Sequence, residues 1–224
     1  MRRGLYSWAL LVPFLASFAV SETLLCDNPN VSVTFDQRDI AELTCNAVEQ
    51  AEALFDRCDL PPLRRPLRID IVDDLKPGCV ALYHCGKDRI EVLEPQKMQA
   101  RRSPKDAFAF LDITPYFQSV IVHELSHSNF DDAPCPFESC IAADEYIAYS
   151  MQIMSLTPEQ KTEFVANSDL DRKITRDELS AIILFMAPTL FARKSWAHLS
   201  QRDDQCGYLR KILDGTILFD YERF

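Results

Sequence analysis

Apolar and polar residues alternate from Val31 to Phe35, the pattern of a strand with one buried face. From Asp36 to Cys58 the spacing changes. Ile40, Leu43, Ala47, Ala51, Leu54, Phe55 and Cys58 recur every three or four positions, which predicts a helix with one apolar side. Leu60-Pro61-Pro62 stops it. Alternation returns from Leu67 to Val72, and Lys76-Pro77-Gly78 makes a turn. Val80 to Tyr83 and Arg89 to Leu93 are two short strands about Gly86-Lys87-Asp88, a hairpin signal. Pro95 ends the second strand, and the polar, basic run from Gln96 to Lys105 reads as a solvated loop.

Beyond it the pattern is helical. Thr114-Pro115 offers a cap and a proline for the first turn of a helix. Phe117, Val120, Ile121 and Leu125 give that helix an apolar side, and neither Gly nor Pro interrupts Tyr116 to Asn129. A loop from Asp131 to Pro136 leads to a second stretch of helical composition, Ala142 to Tyr149. Thr157-Pro158-Glu159-Gln160 and Thr175-Arg176-Asp177-Glu178 both fit capping boxes. Asp169 to Ile174 reads as a turn, since it lacks the glycine and the length of a calcium loop. Leu179 to Met186 is apolar until Pro188; Phe191 to Leu199 and Cys206 to Leu213 complete the helices, with Asp214-Gly215 as the final stop. The order is strand, helix, three strands and then helices only, and the expected class is α+β. We expect one domain over 22–224, with the sheet and central helix in 22–130 and a helical half in 131–224.

The N-terminus alters the setting. A basic start, Met1-Arg2-Arg3-Gly4, precedes an uncharged apolar run from Leu5 to Val20, with small residues near Ala19 and Ser21. This is the form of a secretory signal peptide, here 1–21. Its apolar core is short for a transmembrane span of about 20 residues. The expectation is a secreted or periplasmic protein with no stable membrane insertion after cleavage. All 8 cysteines lie beyond that segment, and an even count in an exported chain reads as disulfides. Proximity suggests Cys79–Cys85 and Cys135–Cys140. The formal charge is −10, or −12 once Arg2 and Arg3 are removed. No basic stripe offsets it, so no nucleic-acid partner is expected.

The chemistry sits in His123-Glu124-Leu125-Ser126-His127. Histidines four apart share one helix face and can reach one zinc ion at about 2.0–2.1 Å each. Glu124 then projects beside the metal, where it can take a proton from zinc-bound water. This HExxH arrangement, followed 18 residues after His127 by Glu145, resembles the gluzincin type of zinc metallopeptidase over roughly Val31 to Met154. The resemblance makes His123, His127 and Glu145 the metal ligands and Glu124 the general base. No third histidine follows HExxH at metzincin spacing and no Met-turn is present, which disfavours the metzincin type. Two positions depart from the family: Asn129 replaces an apolar residue, and Tyr149 stands one turn after Glu145 where an acid is usual. Asp144 lies about 100° around the helix from Glu145; it is expected to bond a histidine ring N–H rather than the metal. The resemblance also implies a small twisted sheet over the HExxH helix, with an edge strand bordering a cleft. Arg89 to Leu93 is the expected edge, open to pair with an extended peptide or covered as edges often are.

The expected activity is hydrolysis of peptide bonds, with one Zn2+ per chain and a peptide or protein substrate. Tyr149, Tyr146 or His198 is available to stabilise the oxyanion, although a lone His or Tyr is more often structural. His84 reads as a packing residue. The alternatives are a non-catalytic zincin-fold domain that binds zinc or a partner, and an exported interaction domain without metal. The substrate, the specificity pocket and the oligomeric state are not written in the sequence.

Overall fold

In the computed structural model, residues 22–220 are described. The expected signal segment, 1–21, lies outside them.

The alternating segment Val31–Phe35 is strand β2, with Val31, Val33 and Phe35 buried and Ser32 and Thr34 between. It is preceded by β1 (Glu22–Leu25), which pairs antiparallel with it and was not expected from the pattern. Helix α1 (Arg38–Arg57) follows, burying the predicted face through Ile40, Ala47, Ala51, Leu54 and Phe55. β3 (Leu67–Val72) returns parallel to β2, so β2, α1 and β3 form one crossover unit. The hairpin of β4 (Ala81–His84) and β5 (Arg89–Leu93) completes the sheet. Among the described residues the sheet has five strands in the order β1-β2-β3-β5-β4.

That order corrects one expectation. β5 is not the edge; it lies between β3 and β4, parallel to one and antiparallel to the other. Ile90, Val92 and Leu93 are fully buried, and Arg89 crosses to Asp70 on β3 at 2.6 Å. The edge is β4. A hairpin signal identifies two arms but not which arm docks. The arm that buries more apolar surface takes the inner place.

The run from Gln96 to Lys105 also differs from the expected loop. Helix α2 (Pro95–Arg101) forms there, with Pro95 in its first turn and Met98 completely buried. Arg101 donates to the carbonyls of Leu75 at 2.8 Å and Cys79 at 2.7 Å, closing the turn that precedes β4. One buried methionine in a polar run leaves no periodicity to read.

Helix α3 (Ile113–Phe130) starts one residue before Thr114, so the N-cap position falls on Asp112, which makes no side-chain capping bond. From Tyr116 to Ser126 nearly every side chain is buried, so α3 is a central helix rather than an amphipathic surface one. α4 (Ile141–Met154) packs beside it. α5 (Pro158–Ala166) and a 3-10 turn at Arg176–Glu178 both carry the expected capping boxes. α6 (Ala181–Met186), α7 (Pro188–Ser200) and α8 (Gln205–Leu213) follow, and Gly215 ends the last with φ 76°. Buried residues from the sheet and from the helical half form one continuous core. No helix among the described residues is long and apolar enough to cross a membrane.

Three disulfides tie the fold: Cys26–Cys45, Cys58–Cys206 and Cys135–Cys140. The third is the expected pinch between α3 and α4. The expected Cys79–Cys85 bridge does not form, and both thiols are free. The reason is geometric. β4 runs between them, and three steps of strand alone span about 10 Å, beyond the roughly 4.4–6.8 Å between Cα atoms that a disulfide tolerates.

Candidate metal centre

α3 places His123 and His127 one turn apart, with ring centroids at 4.9 Å and planes at 79°. The loop that follows, pinched by Cys135–Cys140, turns the chain back so that α4 lies against α3. Glu145 then faces the histidines, its Oε2 3.5 Å from His123 Nε2. One ligand atom from each of His123, His127 and Glu145 lies within 4.8 Å of the others, so the three can hold a metal ion. All three expected ligands are thus brought together.

Each histidine is fixed through its other nitrogen. His127 Nδ1 is 2.6 Å from Asp144 Oδ1, the role expected for that acid. His123 Nδ1 is 3.1 Å from Gln152 Oε1. Gln152 in turn donates to Ser119 Oγ at 3.2 Å, and Ser119 to the Tyr116 carbonyl at 2.8 Å. The chain runs in one donor direction with every member satisfied, so Nδ1 of His123 carries the proton and Nε2 is left for a metal. Sequence reasoning missed Gln152. Its signal was present: Glu145, Tyr149 and Gln152 are spaced four and three apart, hence on one face of α4.

Glu124 is buried, 7% exposed, between α3 and the edge of the sheet. Its Oε2 accepts the backbone N–H of Tyr83 at 2.7 Å. Val80 and Leu93 bond across the hairpin at 3.0 Å, and Leu82 and His84 stand opposite Glu91 and Arg89. The alternation of an antiparallel ladder therefore turns the backbone groups of Ala81 and Tyr83 outward, toward the site. Burial pushes the Glu124 carboxyl above its ordinary range, against the opposing charges of the two histidines. Burial disfavours charge on His127, but the charge and hydrogen bond of Asp144 outweigh it and raise the imidazole to about 9. Burial likewise opposes charge on Glu145, yet its hydrogen bond with His123 and both histidine charges bring it below the usual carboxylate range. A bound cation would take the place of the protons these groups share.

The site opens into a cleft of about 1080 Å³. β4 borders one side; Phe108, Tyr116, Phe185, Pro188 and Ala192 line the other. Tyr149 also lines it, its ring 4.7 Å from that of His123. Burial, followed by the charges of Glu145 and nearby acids, holds its phenol protonated far above the usual range.

The other two candidates for the oxyanion lie elsewhere. His198 is completely buried behind α4 and Tyr146 lies against it. Arg202 donates to His198 Nε2. An arginine only donates, so His198 carries its proton on Nδ1 and gives it to the Tyr146 oxygen at 2.8 Å. Burial, then the Arg202 charge, pushes His198 down to about 4. His84, expected to pack, is half-buried and lies 2.7 Å from Glu91. Asn129 lines a separate recess of about 530 Å³ with Arg64, Arg65 and Asp132, outside the cleft.

Residues 31–222 match the model of a family described as a family of unknown function (DUF6639), and the chain belongs to that family. No curated protein and no solved structure matches the chain.

Proposed function

For this member of a family of unknown function, we propose the activity of an exported zinc-dependent peptidase of gluzincin type on a zincin-like fold. The observation that carries the reading is the convergence of His123, His127 and Glu145 within 4.8 Å, with the buried Glu124 carboxylate beside them. Two imidazoles and one carboxylate are a donor set that suits zinc. Three protein ligands at the floor of an open cleft leave a coordination position free, the pattern of a catalytic rather than a structural site. The hydrogen bonds from His127 to Asp144 and from His123 to Gln152 are the outer support such ligands require.

Zinc held there would supply a Lewis acid that polarises a carbonyl and brings the pKa of water toward about 7. The residues of the chain do the rest. Glu124 accepts the proton of the attacking water and passes it to the leaving amine. The Tyr83 N–H fixes one oxygen of that carboxylate and leaves the other for the proton. Burial raises the proton affinity of Glu124, which makes it the stronger base. Tyr149, kept neutral, donates to the oxyanion. The outward groups of Ala81 and Tyr83 on β4 pair with an extended polypeptide. The disulfides are consistent with an oxidising compartment, secreted or periplasmic.

The test is metal content of the mature protein, then peptidase profiling of wild type and Glu124→Gln. One zinc per chain, with hydrolysis lost in the variant, supports the reading. Zinc without any hydrolysis in the wild type would favour a non-catalytic zinc-binding or partner-binding domain. Absence of stoichiometric metal would reject the site.

A further inference from the structure

α4 carries Asp144, Glu145, Tyr149 and Gln152, four groups of the site on one helix, so the rotation and axial position of α4 set the site's geometry. Its own sequence does not fix its start. The N-cap is Cys140, engaged in a disulfide, and it makes no side-chain capping bond. The first backbone N–H groups of a helix have no partner within it. Here the partner comes from the segment after α8. Asp220 Oδ1 accepts the N–H of Ala142 at 3.1 Å, and Asp220 Oδ2 accepts the N–H of Ala143 at 3.2 Å. Ala142 is completely buried, Ala143 is 1% exposed and Asp220 8%, so water does not substitute for this carboxylate. The charge is also the one favoured at a helix N-terminus.

The residue before it adds a second constraint. The Phe219 ring stacks on that of Tyr146, centroids 4.5 Å apart and planes at 26°. Tyr146 is also held through its hydroxyl, which accepts from His198 Nδ1 at 2.8 Å. Asp220 therefore holds the end of α4, and Phe219 its rotation. The two residues after the capped amides are Asp144 and Glu145.

We propose that Asp220 is a positioning residue for the metal centre. By bridging the first turn of α4 it holds Asp144 against His127 and Glu145 against His123. Nothing local to α4 duplicates that bond. A metal site tolerates ligand displacements of only about 0.2 Å, and one residue of helical slip rotates a side chain by about 100°.

The inference rests on the metal-site reading for its consequence, and its first test needs no metal. In metal-free protein, the His127 ring N–H bonded to Asp144 gives a far-downfield proton resonance, assigned through its absence in Asp144→Asn. Asp220→Ala should move that resonance upfield or abolish it. Asp220→Asn, which keeps the volume and one acceptor, should produce a smaller shift and serves if the alanine variant does not fold. Thr157→Ala, which removes the cap of α5 beyond the opposite end of α4 from Asp144 and Glu145, supplies a matched loss of helix capping; it should lower thermal stability and leave the resonance unmoved. The second readout is zinc affinity by chelator competition. Asp220→Ala should lose about 10- to 100-fold, the scale of lost outer support, with an altered visible spectrum of the cobalt-substituted protein; Thr157→Ala should change neither. If the resonance and the affinity in both Asp220 variants match wild type, the inference is overturned, whatever their melting temperature. If the resonance moves but no variant, wild type included, binds zinc, the inference stands and the peptidase reading falls.

Discussion

The two walls of the cleft hold their functional groups by different means. On the sheet side, Glu124 is held by a backbone amide, the N–H of Tyr83. On the helix side, the histidines are held by side chains, a carboxylate for His127 and an amide for His123. A backbone bond survives any substitution that keeps the strand, whereas Asp144 and Gln152 can each be removed by one change. The two histidines also differ from each other. A charged partner at 2.6 Å makes a stronger hydrogen bond than a neutral one at 3.1 Å, so His127 is held harder, and the Asp144 charge raises its proton affinity above the ordinary imidazole value.

The largest effects should come from what the two walls hold. His123→Ala and His127→Ala should each abolish high-affinity zinc binding, and Glu145→Ala should weaken it far more than Asp144→Ala. Stoichiometric zinc in the double histidine variant would reject the site. Glu124→Gln should retain zinc and the fold while turnover falls by roughly 10²–10⁴, the range for loss of a general base. Undiminished turnover would remove Glu124 from that role.

The supports come next. Asp144→Ala should cost about 10- to 100-fold in zinc affinity, and Gln152→Ala less, because its partner is neutral. Equal losses in a chelator titration would erase the distinction between the two histidines. On the sheet side, proline at position 83 removes the N–H that holds Glu124 but no bond to β5, because that N–H points outward. Comparison with Tyr83→Ala, which keeps the N–H, isolates the backbone bond. The proline variant should have the lower kcat at equal zinc affinity; equal kcat in the two would show that the backbone bond does not set the base.

The smallest effect is on pH dependence. The His127 imidazole is raised to about 9 against an ordinary value of 6.5. A base whose pKa is raised by folding stabilises the metal-free protein fully below about 6.5, and that contribution is lost as pH climbs through about 9. Thermal melting of metal-free protein should therefore fall over that window. Asp144→Asn should flatten the fall, and an unchanged profile in the variant would show that Asp144 is not the cause. Zinc affinity should rise across the same window, since the ligand must lose its proton. Outside the cleft, thiol counting on the native protein should find two free cysteines, Cys79 and Cys85; finding none would mean that β4 opens.

Some of this was legible in the sequence because it is local. The alternation of Val31–Phe35 and the three-four spacing through Phe55 mark their elements at short range, and β2 and α1 formed where those patterns lie. His123 and His127 share a face because they are four residues apart on an uninterrupted helix. Asp144 and Glu145 were separated in role by the helical angle between them. The short pinch Cys135–Cys140 could be seen from its spacing alone, and the α+β class from the order of elements.

Tertiary structure decided whatever depends on a partner distant in sequence. Which hairpin arm became the edge followed from what β3 could bury, so β4 and not β5 borders the cleft. Cys58 and Cys206 are 148 residues apart, and only the fold brings them together. His198 and Tyr149 were equivalent candidates as residues; packing sealed one behind α4 and left the other in the cleft. The cap that Asp220 gives to α4 has no signature along the chain at all. Sequence periodicity records the direction in which a side chain points, a property of the few residues around it. What meets that side chain depends on how distant segments pack, and no local pattern carries that.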